Sequence, residues 1–314
     1  MSKDGRHFGL RRAAAALSVA LSLTFGAHAA LASTEDPAYA AFFEGRYLEA
    51  LELAKEASER GEPQAPTLIG RIYSEGLGVP QNKRKAAEWY ATGVERGDPD
   101  AQFALGMMRL TGDGIGQNLP QAAALLQLAA EQGHANAAYN LGLLHVNGQG
   151  VDFDLERAAA LFKQAAEKDN PQAQYDLGAL YAAGEGVPPD PEKAAYWTAK
   201  AAEAGLPDAQ LDYAIMLIQG RGVEKDHDKG LAMLKAAAEN GNPVAQNRLA
   251  RVLAYGVEVK ADPIAAAKWH LLARESGISD GRLDIFLAGL TKEQRAQAEA
   301  AARRWRRTEM SALQ

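Results

Sequence analysis

A strict 36-residue period constrains this chain more than any other feature. With unit position 1 set at Ala65, alanine returns at Ala101, Ala137, Ala173, Ala209 and Ala245. Position 6 holds Gly70, Gly106, Gly142, Gly178, Ala214 and Ala250, and position 12 holds Gly76, Gly112, Gly148, Gly184, Gly220 and Gly256. Position 14 repeats glycine at Gly78, Gly114, Gly150, Gly186 and Gly222, and Glu258 breaks that series. Each unit closes at Gly97, Gly133, Asp169, Gly205, Gly241 or Gly277. Six units in register, with no insertion or deletion, specify a repeat architecture.

The unit from Ala173 shows what each repeat builds. Ala173, Leu177, Leu180 and Tyr181 share one face at helical spacing, which predicts a first helix ending at Ala183. Gly184-Glu185-Gly186-Val187-Pro188 terminates it, because glycine accepts positive φ and proline resists continuation. A second helix is expected from about Pro191 to Ala204, packing through Ala194, Ala195, Trp197, Ala201 and Ala202. Glycine inside a helix costs about 1 kcal/mol relative to alanine. Its return at one phase in Gly70, Gly106, Gly142 and Gly178 implies close helix approach. The large residues at position 25, Trp89, Leu125, Leu161, Trp197, Met233 and Trp269, read as core anchors rather than a ligand platform.

One helix pair cannot bury its apolar side alone, so neighbours must stack and the ends must be closed. Residues 37–61 fit an N-terminal partial repeat, with Phe42 and Phe43 before a turn at Gly45 and Tyr47, Leu51, Ala54 and Ala57 along a second helix. Residues 65–277 are the six full units, and residues 278–314 leave the period as a C-terminal cap. In the cap, Leu283, Ile285, Phe286 and Leu290 lead to a helix from about Thr291, where Thr291 and Gln294 form a candidate capping box.

The N-terminal 32 residues read as a cleavable secretory signal. Lys3, Arg6, Arg11 and Arg12 precede an apolar run from Ala13 to Phe25, followed by the competing triplets Ala27-His28-Ala29 and Ala30-Leu31-Ala32. Polar Ser33 favours cutting after Ala32. The run is short for a bilayer core of about 30 Å, which argues against an uncleaved anchor. The expected location is the periplasm or outside the cell, the periplasm first, with no membrane span after cleavage. Removing Lys3, Arg6, Arg11, Arg12 and Asp4 from 34 basic and 40 acidic residues leaves 30 and 39, a net charge of −9. So acidic a body disfavours nucleic acid as a partner. With 0 cysteines, disulfides, thiolate metal sites and cysteine catalysis are excluded together.

The unit resembles the Sel1-like repeat family, a relative of tetratricopeptide repeats. The likeness is carried by Ala173-Gln174-Tyr175-Asp176-Leu177-Gly178-Ala179-Leu180-Tyr181, by Gly184-Glu185-Gly186-Val187 and by Lys193-Ala194-Ala195-Tyr196-Trp197. The resemblance implies an all-α fold, a right-handed α/α superhelical solenoid, with a scaffold, adaptor or regulatory role in protein complexes and no shared catalytic constellation. Unit six departs most, at Asn247, Ala250 and Glu258.

In such solenoids the first helices line the inner surface. Position 4 varies through Leu68, Ala104, Asn140, Asp176, Asp212 and Arg248, and position 11 through Glu75, Thr111, Asn147, Ala183, Gln219 and Tyr255. A tract of Asn140, Asn147, Asp176, Asp212, Arg248 and Tyr255 is therefore the candidate partner-facing surface. A second candidate is Arg303-Arg304-Trp305-Arg306-Arg307, which could meet an acidic partner or anionic lipid. The preferred reading of that run is a capping helix, with Trp305 packed onto unit six and the arginines at the helix's negative end.

Enzymatic chemistry finds little support. The histidines are scattered: His145 replaces the usual tyrosine of position 9 and reads as a satisfied core or interface imidazole, while His134 and His227 fall in linkers expected to be solvated. Gly112-Asp113-Gly114 and Gly148-Gln149-Gly150 are repeat turns with no preceding strand, so neither is a phosphate loop. No cofactor or metal is expected. The sequence points to a non-catalytic periplasmic scaffold, adaptor or regulator for an envelope protein partner. The alternative is an envelope-polymer or peptidoglycan-associated module that modulates a cell-wall enzyme, with peripheral membrane or cell-wall contact.

Overall fold

A computed structural model describes residues 36–257 and 259–312, with side chains through Arg307. The signal segment and Glu258 lie outside the described residues. The fold is an all-α solenoid of paired helices, with no strand among the described residues. These residues form two compact units, the first ending at Pro189 and the second beginning at Asp190.

In the first unit, α1 (Pro37–Phe43) and α2 (Tyr47–Glu59) form the short leading pair. Then come α3 (Ala65–Glu75) with α4 (Lys83–Glu95), α5 (Pro99–Thr111) with α6 (Leu119–Glu131), α7 (Ala135–Asn147) with α8 (Leu155–Ala166), and the first helix α9 (Pro171–Ala183). The second unit holds α10 (Pro191–Glu203), α11 (Pro207–Gln219), α12 (His227–Glu239), α13 (Pro243–Tyr255) and α14 (Pro263–Glu275), followed by α15 (Gly281–Gly289) and α16 (Lys292–Ala312).

Caps set the register. Every second helix of a full repeat begins at an aspartate or asparagine: Asn82, Asn118, Asp154, Asp190, Asp226 and Asp262. Each side chain accepts a hydrogen bond from a backbone N–H in the first turn, satisfying a donor that the helix itself leaves unpaired. Every first helix of a full repeat ends on a left-handed glycine, from Gly76 to Gly256. The second turn glycine has a different job. At Gly222 a β-carbon would lie 1.9 Å from the Pro191 carbonyl oxygen, and at Gly186 2.2 Å from that of Leu155. The turn of one repeat thus rests directly on the backbone that starts the second helix of the repeat before it.

Position 1 alanine is buried in all six units, with at most 4% exposure. Position 25 packs as expected, with Leu125, Leu161, Trp197 and Trp269 buried and Trp89 and Met233 packed at the edge of the core. Position 26 joins it as a second anchor: Tyr90, Leu126, Phe162, Thr198, Leu234 and His270 are all buried there. The two positions are 100° apart on the helix, so together they widen the face that each second helix buries.

The C-terminal helices carry local order of their own. Thr291 N donates to Gln294 Oε1 at 3.0 Å and Gln294 N donates to Thr291 Oγ1 at 3.2 Å, a reciprocal capping box. Ala298 and Ala302 are buried, and Trp305 meets Trp269 edge-on at 6.0 Å between ring centres.

Candidate functional site

In the first unit, α3, α5, α7 and α9 stand side by side, stitched near their N-termini. The Thr67 hydroxyl donates to Asp98. His134 Nε2 lies 3.3 Å from Asp100 Oδ1, and Asn170 Nδ2 donates to Asn136 Oδ1 at 2.9 Å. His134 is therefore not a solvated linker residue. Its Nδ1 accepts from Ala137 N at 3.1 Å as the cap of α7, and its ring stacks on Phe103 at 4.5 Å. Burial raises the Asp98 carboxyl, and the Thr67 hydrogen bond counters it.

Further along this row lie the variable residues. Position 4 begins apolar and buried at Leu68 and Ala104, then turns polar at Asn140 and Asp176. Asn140 and Asn147 are half-buried and turn their amides back onto their own helix, donating to Asn136 O at 2.7 Å and Leu143 O at 2.8 Å. Asp176 is different. Its Oδ2 accepts a 3.1 Å hydrogen bond from the hydroxyl of Tyr139, one repeat earlier. Burial lifts the carboxyl to about 6, opposed by that hydrogen bond. Desolvation likewise raises the Tyr139 hydroxyl far above its ordinary range. The Tyr139 ring packs on Phe162 at 5.5 Å, so the phenol is held in place from behind.

The second unit carries Asp212, half-buried on α11, and Arg248 and Tyr255, exposed on α13. Tyr255 meets Phe286 of α15 edge-on at 6.3 Å. Close by, Asp280 caps α15 and receives Arg251 Nε at 2.5 Å and Asn247 Nδ2 at 3.1 Å. Burial pushes this carboxyl up, but the bonds from Arg251, Asn247 and the Leu283 backbone outweigh it and hold it at about 2. The asparagine that replaces an aromatic in unit six thus fastens the cap to the last repeat. Nothing in the sequence pattern singled out Asp280, whose partners lie 29 and 33 residues upstream.

Arg303, Arg304, Arg306 and Arg307 of α16 are exposed around half-buried Trp305. Arg306 pairs with Glu275 at 3.4 Å and Arg303 with Glu299 at 3.7 Å. Trp305 is half-buried and packs against the apolar cluster of the second unit.

Little else offers chemistry. An open cleft of about 550 Å³ in the second unit is lined by Tyr213, Leu217 and residues 223–229, which mix acidic and basic side chains. Half-buried His145 steadies its own turn through Nδ1, 3.1 Å from Asp152 O. His270 is fully buried with Nε2 2.8 Å from Asp284 Oδ1, tying α14 to α15. Among the described residues no group of three histidine or acidic side chains could hold a metal, and no helix is long and apolar enough to cross a membrane.

Paired helices, closed by caps and decorated by variable residues on their first members, define a helical-repeat protein of the interaction class. The Sel1 repeat model matches six consecutive segments, 65–98, 99–134, 135–170, 171–206, 207–242 and 243–278, and the chain belongs to this family. Its fold is a non-catalytic one, generally used for protein–protein interaction. The chain is similar to c5321, a protective antigen of uropathogenic Escherichia coli strains with an SLR fold, at 30% identity and a TM-score of 0.73. That match covers 81% of this chain and spans 57% of the antigen's length. A Sel1 repeat protein from Oxalobacter formigenes is similar at 31% identity and a TM-score of 0.66, covering 77% of this chain and 97% of that one. A search of curated proteins finds no match.

Proposed function

We propose that this chain is a periplasmic scaffold or adaptor that binds a protein partner along the first helices of its repeats. The observation that carries this reading is the contrast within one repeated position. Leu68 and Ala104 fill the core, while Asn140, Asp176, Asp212 and Arg248, each at the equivalent point of its own first helix, are polar or charged. A fold that needs only small and apolar residues there has no structural demand for that series. Asn147 and Tyr255 extend the tract. The exposed arginines Arg303, Arg304 and Arg307 are a second, smaller contact region around the Trp305 anchor.

Periplasmic placement rests on the signal-like N-terminus. N-terminal sequencing of the mature protein is expected to begin at Ala30 or Ser33; retention of Met1 would remove the assignment. The binding surface is tested by photo-crosslinking in the native envelope from positions 176 and 212, with exposed position 95 on α4 as the control. One partner captured from 176 and 212, and not from 95, supports the proposal. Equal capture from all three positions overturns it. Retention on purified wall material without added protein would favour the cell-wall alternative.

A further inference from the structure

We propose that Asp176 and Tyr139 form a socket for one basic side chain, an arginine or lysine, of a protein partner. This rests on the reading of the first-helix row as the binding surface, and names the chemistry that surface recognises.

Among the described residues, the Tyr139 hydroxyl is the one hydrogen-bond partner of the Asp176 carboxylate, and no ion pair reaches it. An ionised carboxylate can accept about four hydrogen bonds, so one neutral donor leaves most of its capacity unused. Burial of a charge is costly unless a counter-charge and further donors accompany it. Asp280 in the second unit shows the self-sufficient arrangement: it is buried, but Arg251, Asn247 and the Leu283 backbone all donate to it. Asp176 has the desolvation without the internal cation.

A purely structural role does not account for the charge. Asn140, at the same position one repeat earlier, satisfies itself on its own helix without any charge. A hydrogen bond to Tyr139 needs only a neutral acceptor, which asparagine would supply. What a carboxylate adds is attraction for a cation. An arriving guanidinium could engage Asp176 through charge-assisted hydrogen bonds and lie against the Tyr139 ring, whose π face favours cations. The acidic body of the chain steers such a partner inward.

The test uses two fluorescent decapeptide pools of mixed Gly, Ala, Leu and Tyr. Each peptide of the first pool carries one arginine, and each of the second carries citrulline, its neutral near-isostere, in the same place. Retention on the immobilised chain is compared for the unaltered protein, Asp176→Asn and the exposed control Glu95→Gln. The unaltered protein and Glu95→Gln are expected to prefer the arginine pool by about tenfold, and Asp176→Asn to show a preference below about twofold. Asp176→Asn keeps an acceptor for Tyr139, so its fold is preserved. An unchanged arginine preference in Asp176→Asn overturns the socket. Equal retention of both pools by the unaltered protein also overturns it while leaving peptide binding intact. Retention of neither pool counts against the first-helix surface itself.

Discussion

Gly142 of α7 faces the ring of Phe162 so closely that a β-carbon would sit 2.5 Å from Cε1 and 2.7 Å from Cδ1. Gly70 stands to Tyr90 in the same way, at 2.6 Å. Gly106 faces Leu125 and Leu126 instead of a ring, and there the nearest approach relaxes to 3.3 Å, from Leu125 Cβ and Leu126 Cγ alike. Where Leu234 and His270 replace the ring, the position accepts Ala214 and Ala250. Where position 26 carries a ring, as in Gly70–Tyr90 and Gly142–Phe162, the helical glycine and that ring are therefore one fitted pair. Gly142→Ala is expected to destabilise by about 1–3 kcal/mol, because overpacking against a fully buried ring exceeds the gain in helix propensity. Gly106→Ala is expected to cost less than Gly142→Ala, since its nearest contacts, Leu125 Cβ and Leu126 Cγ at 3.3 Å, need give only a few tenths of an ångström. Adding Phe162→Leu to Gly142→Ala should recover part of the loss. Urea unfolding of the four proteins checks all three statements.

The repeat period was enough to read the helix pairs, the buried alanines and the close helix approach. The Thr291–Gln294 box was readable because its partners are three residues apart. The capping series from Asn82 to Asp262 went unread, although it obeys the same period as the glycines. Two features were beyond such reading. Adding position 26 to position 25 as an anchor requires the rotation of each second helix against its neighbours. The enclosure of Asp176 depends on a hydroxyl 37 residues away, a contact created only when two repeats stack.

Asp176→Asn should stabilise the protein at neutral pH. The folded carboxyl is raised from 3.8 to about 6 by burial. Such a raised group favours folding fully below pH 3.8, and that contribution is lost as pH rises through about 6. The upper bound is about 3 kcal/mol, and water reaching the half-buried side chain reduces the expected gain to about 1–2 kcal/mol. The variant should therefore melt higher than the unaltered protein at pH 7.5 and lose the advantage at pH 3.5. Equal melting temperatures at both values would mean that the carboxylate is solvated. A stabilising change on a proposed binding face is what a site kept for function, at the expense of stability, should show.

Asp280→Ala should act in the opposite sense. Its folded carboxyl is held at about 2, so its contribution is present above the ordinary 3.8 and lost as pH falls from about 4 to 2. Removing it deletes the cap of α15 and strands Arg251 and Asn247. A loss of about 2 kcal/mol at pH 7 is expected. Amide exchange in α15 should accelerate more than in α11, and the difference from the unaltered protein should shrink by pH 2.5.

Two glycines of the second unit separate backbone strain from packing. Gly205 has φ +89, and a methyl group placed on its α-carbon would meet nothing within 4 Å, so Gly205→Ala bears only the left-handed penalty of about 1–2 kcal/mol. Gly222 has φ +71, and its β-carbon would fall 1.9 Å from Pro191 O and 2.4 Å from Pro191 C. A peptide group at a helix start cannot step aside as a side-chain tip can. Gly222→Ala must therefore lift the turn off α10 as well as strain its own backbone. It is expected to cost at least about 2 kcal/mol more than Gly205→Ala, read from thermal unfolding of the two variants side by side. Equal losses would mean that the turn does not bear on the preceding repeat, and that the 36-residue stacking rests on side chains alone.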